Sequence, residues 1–436
     1  SKPEYFKVKD FTESTLKKIP VVGEKLRDSI SASKSAFKQL LYHSNFFEDF
    51  GYVYLGPVNG HDVDSLCEVL ERAKSLHMPV LVHIETTKGK GYSPAERNPG
   101  AFHGVSKFEI KTGEPLKKGG ENFSSVFGRE LTCLAREDKR ICAITAAMKT
   151  GTCLQDFSLL YPERFFDVGI AEGHAVTFSS GLACGGILPV FAVYSTFLQR
   201  SYDQILNDTS IIGNHIVLAI DRAGIVPDDG ETHQGIFDVP FLTTIPHVTI
   251  YAPFNFAELE INLKQALYDV KGIAAVRYPK GGELPCPAGY VPNFKPYTYL
   301  RSGKKAVLLI TYGRIFANVL SAAKELLRQG LPVSVLKLTR IHPLDEECVQ
   351  IARRYSHVLF FEEGSRRGGI GEYLGSRLMA ERFSGSYRVR AIEDFLTTCS
   401  TASGLHQVGL DVEGIVAAVL AERSSDAPAE EPDEPA

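Results

Sequence analysis

Apolar residues recur along this chain in spacings that switch between helix and strand. From Asp62 to His77 the apolar positions Val63, Leu66, Val69, Leu70 and Ala73 fall on one helical face. Pro79 to Ile84 follows as a β-rich run, and a helix feeding an apolar strand is the signature of a parallel sheet. Thr86 to about Gly120 is polar and rich in Gly and Pro, and reads as a linker. A second alternation runs from Asn122 to Leu284. It predicts a helix over Phe123 to Arg136, a strand over Ile141 to Thr145 and a small-residue helix over Ala171 to Cys184. Short strands follow at Pro189 to Val193, His215 to Asp221, Val248 to Ala252 and Ile273 to Tyr278. This order argues for a doubly wound sheet. Pro285 to Tyr299, rich in Pro and Tyr, reads as a second linker. Beyond it come a strand (Ala306 to Thr311), a helix ended by Gly330 (Ile315 to Gln329) and a strand (Val333 to Leu338). A helix (Asp345 to Tyr355), a strand (His357 to Phe361) and a helix (Gly369 to Ala380) complete another small α/β domain. The tail from Ser424, rich in Ala, Pro, Asp and Glu, is expected to be disordered.

Composition narrows the class. The 436 residues suffice for about three domains of roughly 150 residues. Hydrophobic residues at 44% and charged residues at 23% are ordinary soluble usage. No run of 18 apolar residues occurs, so no membrane span is expected. A net charge of −4 argues against a nucleic-acid footprint, which needs a basic stripe. None of the eight cysteines forms a Cys-x-x-Cys pair, so neither a zinc ribbon nor a redox motif is indicated. Several lie in apolar runs, as Cys142 does, and are expected to be buried thiols of a cytoplasmic protein. The chain opens on Ser1, and the basic stretch Lys2 to Lys38 has no start signal of its own; the sequence is expected to be a fragment.

Five polar stretches end predicted strands, where ligands of open α/β sheets bind. In Asp167-Val-Gly-Ile-Ala-Glu-Gly-His174, Glu172 opens an apolar helix. It either complements the helix dipole or is a withdrawn carboxylate held to bond a ring nitrogen. Tyr194 to Gln204 gathers aromatic and cationic side chains, either as core aromatics with a solvated Arg200 or as a binding surface. After the strand ending in Asp221-Arg222, a Gly-punctuated loop carries Asp228, Asp229 and His233, an acid/base pair or a structural turn. Arg277, in Val276-Arg-Tyr-Pro-Lys280, suits bidentate phosphate capture or a surface ion pair. Thr87-Lys-Gly-Lys-Gly-Tyr92 with Asn98 to Gly104 can hold phosphate or serve as a flexible linker. Gly368-Gly-Ile-Gly-Glu372 lacks a phosphate-binding context and reads as close helix packing.

Together these stretches resemble the deoxyxylulose phosphate synthase family. The resemblance is carried by Asp221-Arg-Ala-Gly-Ile-Val with Asp229-Gly-Glu-Thr-His-Gln-Gly235, by Tyr194-Ser-Thr-Phe-Leu-Gln-Arg200, and by Gly56-Pro-Val-Asn-Gly-His-Asp62. It extends to about Ala421. Transketolases and pyruvate dehydrogenase β subunits share the domain plan with a different loop. The resemblance implies an α/β chain of doubly wound parallel-sheet domains. Residues 1–113 would be the C-terminal remnant of a diphosphate-binding domain, 122–284 a pyrimidine-binding domain, 300–423 a transketolase C-terminal-like domain, and 424–436 a tail. It implies thiamine diphosphate and Mg²⁺ as cofactors, and pyruvate and glyceraldehyde 3-phosphate as substrates. Glu172 would bond the aminopyrimidine N1′ and favour its imino form, and Phe197 would stack on that ring. Tyr194, Arg222, Arg277 and Arg200 would hold the acceptor phosphate or the substrate carboxylate. Asp229 and His233 would position substrate and shuttle protons, and Lys88 and His103 match positions facing the same site.

Two departures bear on activity. The family's Mg²⁺ motif, Gly-Asp-Gly followed by an Asn, occurs nowhere in the chain, and the N-terminal site histidines are also missing. Mg²⁺ keeps an octahedral shell that bridges phosphates and a carboxylate, so its ligands are expected from a missing N-terminal part. Gly173 stands where many relatives carry Gln and leaves Glu172 in place. The chain alone is expected to be inactive. A homodimer, a non-catalytic remnant, and one half of a split enzyme paired with a separate diphosphate-binding chain are the alternatives left open.

Overall fold

The computed structural model describes residues 46–105, 107–116, 120–286, 290–303 and 306–424. The opening basic stretch and the acidic tail lie outside these residues. The chain divides into two compact units, Ser1–Gly119 and Gly120–Ala436.

In the first unit, strands β1 (Val53–Asn59) and β2 (Val80–Glu85) pair in parallel around helix α1 (Val63–Ser75). Asp62 starts that helix by accepting the Ser65 N–H at 3.2 Å. The described residues after Thr86, expected as a linker, are instead folded. Tyr92, Phe102 and Phe108 pack ring against ring, with Phe102 centroids 5.5 Å from both neighbours. The Tyr92 hydroxyl donates to the Ile110 carbonyl at 2.8 Å. Three aromatics at irregular spacing have no period to betray such a cluster.

The second unit holds two sheets. Helix α2 (Phe123–Glu137) opens on a capping box in which Asn122 and Ser125 satisfy each other's backbone N–H. Strands β3 (Ile141–Thr145), β4 (Phe165–Asp167), β5 (Leu188–Tyr194), β6 (Ile216–Asp221), β7 (Val248–Tyr251) and β8 (Ile273–Arg277), with β12 (Arg340–His342), form a seven-stranded sheet ordered β12-β7-β8-β6-β5-β3-β4. Helices α3 (Glu172–Cys184), α4 (Asp238–Thr243) and α5 (Phe256–Tyr268) connect them. β3, β6 and β8 are buried along their whole length, which is why they read as unbroken apolar runs.

The second sheet has the order β14-β13-β10-β11-β9. Its members are β9 (Tyr297–Leu300), β10 (Val307–Tyr312), β11 (Ser334–Leu338), β13 (His357–Ser365) and β14 (Ser386–Ile392). Helices α6 (Phe316–Arg328), α7 (Glu346–Ala352), α8 (Ile370–Ala380) and α9 (Val412–Ser424) accompany them. The end of the expected Pro285–Tyr299 linker is therefore a strand, antiparallel to β11. Strand β12 (Arg340–His342) leaves this domain and pairs antiparallel with β7, so the first sheet is not wholly parallel. One apolar core runs through both sheets, from Ile144 and Leu218 to Leu308 and Phe360. Thr401–Arg423 is long and apolar enough by composition to cross a membrane. Gly409, at φ 67°, breaks it into two helices, and Leu405, Leu410, Ile415 and Val419 pack into a core instead.

All eight cysteines are free; Cys142 and Cys348 are buried as expected, but Cys67, Cys133, Cys184 and Cys286 are exposed. The Gly368–Glu372 cluster does pack closely, and its backbone does more. The N–H groups of Ile370 and Gly371 both donate to the buried Glu362 carboxylate, at 3.1 Å each.

Candidate active site

Glu172 is placed by the turn that follows β4. Asp167, at the strand end, accepts the N–H groups of Ala147 at 2.8 Å and Gly169 at 3.0 Å. Gly169 takes a left-handed conformation at φ 73°, which reverses the chain into α3. Glu172 is the first residue of that helix and only 3% exposed. It accepts a hydrogen bond from Arg200 at 2.6 Å, and the Arg200 guanidinium lies 4.9 Å from the Phe197 ring centroid. Gly173 leaves room that the Gln204 side chain takes: a Cβ at Gly173 would lie 3.1 Å from Gln204 Oε1.

The aromatic group forms where β5 ends. Tyr194 and Phe197 stack with centroids 5.9 Å apart, and His233 meets Phe197 edge-on at 5.5 Å. Arg222, held at φ 58°, spreads its guanidinium 4.0 Å above the Tyr194 ring. Burial pushes the Tyr194 phenol up to about 12. Phe197, Arg200, Arg222, Asp229 and His233 are thus brought together with Tyr194 and Glu172.

Asp229 and His233 do not pair as an acid and a base. Asp229 instead forms ion pairs with Arg222 and, at 2.7 Å, with Lys280. Burial raises its pKa, but Lys280 and Arg222 outweigh that and hold it below the usual carboxylate range. His233 Nδ1 lies 3.0 Å from the Thr232 hydroxyl. Lys280 was quoted in the sequence without a role; its partner is 51 residues away, and no local signal joins them.

Arg277 is neither at the surface nor open for bidentate phosphate capture. It is 5% exposed and grips Asp238 at 2.7 and 3.2 Å. With Tyr312 and Arg314 it lines a narrow pocket that Ala223 and Pro279 also border. Asp221, opposite Tyr194 in the β5–β6 register, is fully buried, and neither of its oxygens has a well-formed hydrogen bond. In the first unit, Lys88 Nζ and His103 Nδ1 meet at 2.9 Å.

Family models match along the chain. That for 1-deoxy-D-xylulose-5-phosphate synthase covers residues 1–86, the transketolase pyrimidine binding domain 121–282, and the transketolase C-terminal domain 297–415. A 1-deoxy-D-xylulose-5-phosphate synthase of Clostridium kluyveri is 45% identical over 377 residues, 85% of this chain and 60% of that protein. The Treponema pallidum protein of that name is 42% identical over 421 residues, 95% of this chain and 67% of its own. The chain spans about 60% of the length of the Clostridium kluyveri and Natranaerobius thermophilus relatives. A solved "split gene transketolase, inactive beta4 tetramer" superposes at a TM-score of 0.62 with 27% identity, over 70% of this chain and 99% of that one. A Leishmania mexicana transketolase, 16% identical, matches the fold at 0.60 over 73% of this chain and 48% of its own. Matches that run from the first unit through both sheets, at 40–45% identity to proteins of one name, leave one assignment: the chain belongs to the 1-deoxy-D-xylulose-5-phosphate synthase family.

Proposed function

We propose that the chain serves a thiamine-diphosphate-dependent transferase. Its reaction joins pyruvate, with loss of carbon dioxide, to glyceraldehyde 3-phosphate, giving 1-deoxy-D-xylulose 5-phosphate. The observation that carries this reading is the Glu172 carboxylate, buried at the start of α3 and linked through Arg200 to the Phe197 ring. A buried acceptor beside an aromatic face fits the ring nitrogen and the plane of an aminopyrimidine. When bound, the cofactor supplies the electron sink for decarboxylating a 2-keto acid.

The chain's own residues bind and orient. Glu172 would bond the ring nitrogen and so set the tautomer of the pyrimidine amine. Phe197 would stack on that ring. Arg200 and Arg222 offer cations to the substrate carboxylate or the acceptor phosphate, with Tyr194 beneath Arg222. Arg277, buried and tied to Asp238, is left without a direct phosphate contact. Asp229, held ionised by two cations, orients acceptor hydroxyls, and His233 moves the proton. Lys88, bonded to His103, holds a phosphate group. Ligands for Mg²⁺ are assigned to the part of the relatives that the chain does not match, since the Gly-Asp-Gly motif does not occur here. The enzyme is proposed to be a cytoplasmic homodimer.

In enzyme supplied with a diphosphate-binding part, Glu172→Gln is expected to lower kcat by about 10²-fold or more. An unchanged kcat would remove Glu172 from this role. The 436-residue chain by itself is expected to show no turnover of the two substrates and weak thiamine diphosphate binding. The likeness to a split-gene transketolase chain supports a second reading, in which a separate polypeptide supplies the diphosphate-binding half. Activity restored on mixing with that polypeptide, encoded beside this chain and carrying Gly-Asp-Gly, distinguishes the split enzyme from a single-chain one.

A further inference from the structure

The C-terminal domain reaches into the loop that follows β6. Glu363, on β13, accepts the Ile225 N–H at 2.7 Å. Arg314, in the turn after β10, donates to the carbonyl of the same residue at 2.9 Å and to Glu363 Oε2 at 2.9 Å. Its Nη1 reaches the Lys280 carbonyl at 3.5 Å. Both side chains are buried, Arg314 at 8% and Glu363 at 5% exposure. Gly224, at φ 87°, lies directly against the Glu363 carboxylate, where a side chain has no room. One ion pair thus holds the N–H and the C=O of a single loop residue, together with the strand end that bears Lys280. Those two segments carry Arg222, Asp229 and Lys280, which are themselves joined by ion pairs. Charge-assisted bonds of this kind fix direction as well as distance.

We infer that Arg314 and Glu363 are positioning residues for the acceptor site, through which the C-terminal domain sets where the Arg222–Asp229–Lys280 cluster stands. The inference rests on the proposed function, and neither side chain touches reacting atoms. A purely structural role makes a different forecast: both halves of the reaction would fall together with the folded fraction.

The test uses Arg314→Lys, which keeps the charge and loses the fork, and the pair Arg314→Met with Glu363→Leu, which leaves no buried charge unpaired. In the assembled enzyme, kcat/KM for glyceraldehyde 3-phosphate is expected to fall about 10- to 100-fold, as small misplacements do. Carbon dioxide release from pyruvate without acceptor is expected to keep its rate. In the full chain, amide exchange over residues 223–230 is expected to quicken while the strands of the first sheet stay protected. Equal loss in both half-reactions, or an unaltered exchange pattern in a folded variant, overturns the inference. If the parent enzyme shows no turnover, the functional reading fails, and the exchange pattern alone decides the positioning role. If Arg314→Lys does not fold, the apolar pair carries the test.

Discussion

Asp221 shows how a single buried group tunes the molecule. Burial pushes its carboxyl up to about 7, against opposing pulls from Ser124, Arg222 and Lys280. An unfolded aspartate loses its proton near pH 4. Between about pH 4 and pH 7 the native state therefore holds a proton that the unfolded chain lacks, and stability declines as pH rises through that window. Asp221→Asn abolishes this titration. Its stability relative to the parent is expected to climb by about 2–4 kcal/mol from pH 4 to pH 8, read by urea unfolding at stepped pH. A constant difference across that range would show that the carboxyl is not held protonated. Burial also drives Glu362 up to about 7, so the variant should keep part of the slope. At this scale the sequence was informative about position and silent about partners. A polar pair ending an apolar strand drew attention to Asp221-Arg222, and the first residue of an apolar helix to Glu172. Nothing near Asp229 announced Lys280, and nothing near Arg277 announced Asp238, because both contacts are made by the fold.

Among the elements, β11 and α5 are joined by a wholly buried ion pair. Lys337 bonds both Glu258 oxygens at 2.7 and 2.6 Å and Thr339 at 2.9 Å. Burial lowers the lysine pKa although Glu258 pulls it up. Glu258 also accepts the Phe254 N–H at 2.8 Å and the Tyr290 hydroxyl. Removing one partner leaves an unpaired buried charge, so Glu258→Ala is expected to cost about 3–5 kcal/mol. The pair Glu258→Leu with Lys337→Met should recover most of it, and denaturation of the three variants decides; a double variant as unstable as Glu258→Ala would refute the ion-pair account. Central strands were legible because burial on both faces makes them continuously apolar. The edge strands β9 and β14 were not. β14 alternates exposed Arg388 and Arg390 with half-buried neighbours, and β9 lies in a Pro/Tyr-rich stretch that resembles a linker.

On the scale of the molecule, the described residues from 120 to 424 share apolar cores across two domains. Ile225, Ile236 and Phe254 pack into the core beneath α6 and α9, and Leu308 and Ile341 into the one beside β6. A polypeptide beginning at Gly120 is therefore expected to melt in one transition whose calorimetric and van't Hoff enthalpies agree. Two resolved transitions would mean that the pyrimidine-binding and C-terminal domains fold independently. The α/β class itself was readable from alternating strands and helices. The strand that passes from one sheet into the other was not, since Arg340–His342 is too short to leave a pattern.

That short strand also constrains how such enzymes can be recombined. A chimera joined between residues 286 and 296 inherits a C-terminal donor that must supply backbone partners for Tyr251 and Ile250, the β7 residues opposite Arg340 and His342. Donors whose crossing segment differs in length would leave β7 as a bare sheet edge, prone to pairing with other molecules. Successful grafts should therefore carry Thr339 to Pro343 with the acceptor's own geometry, whatever loops are exchanged elsewhere.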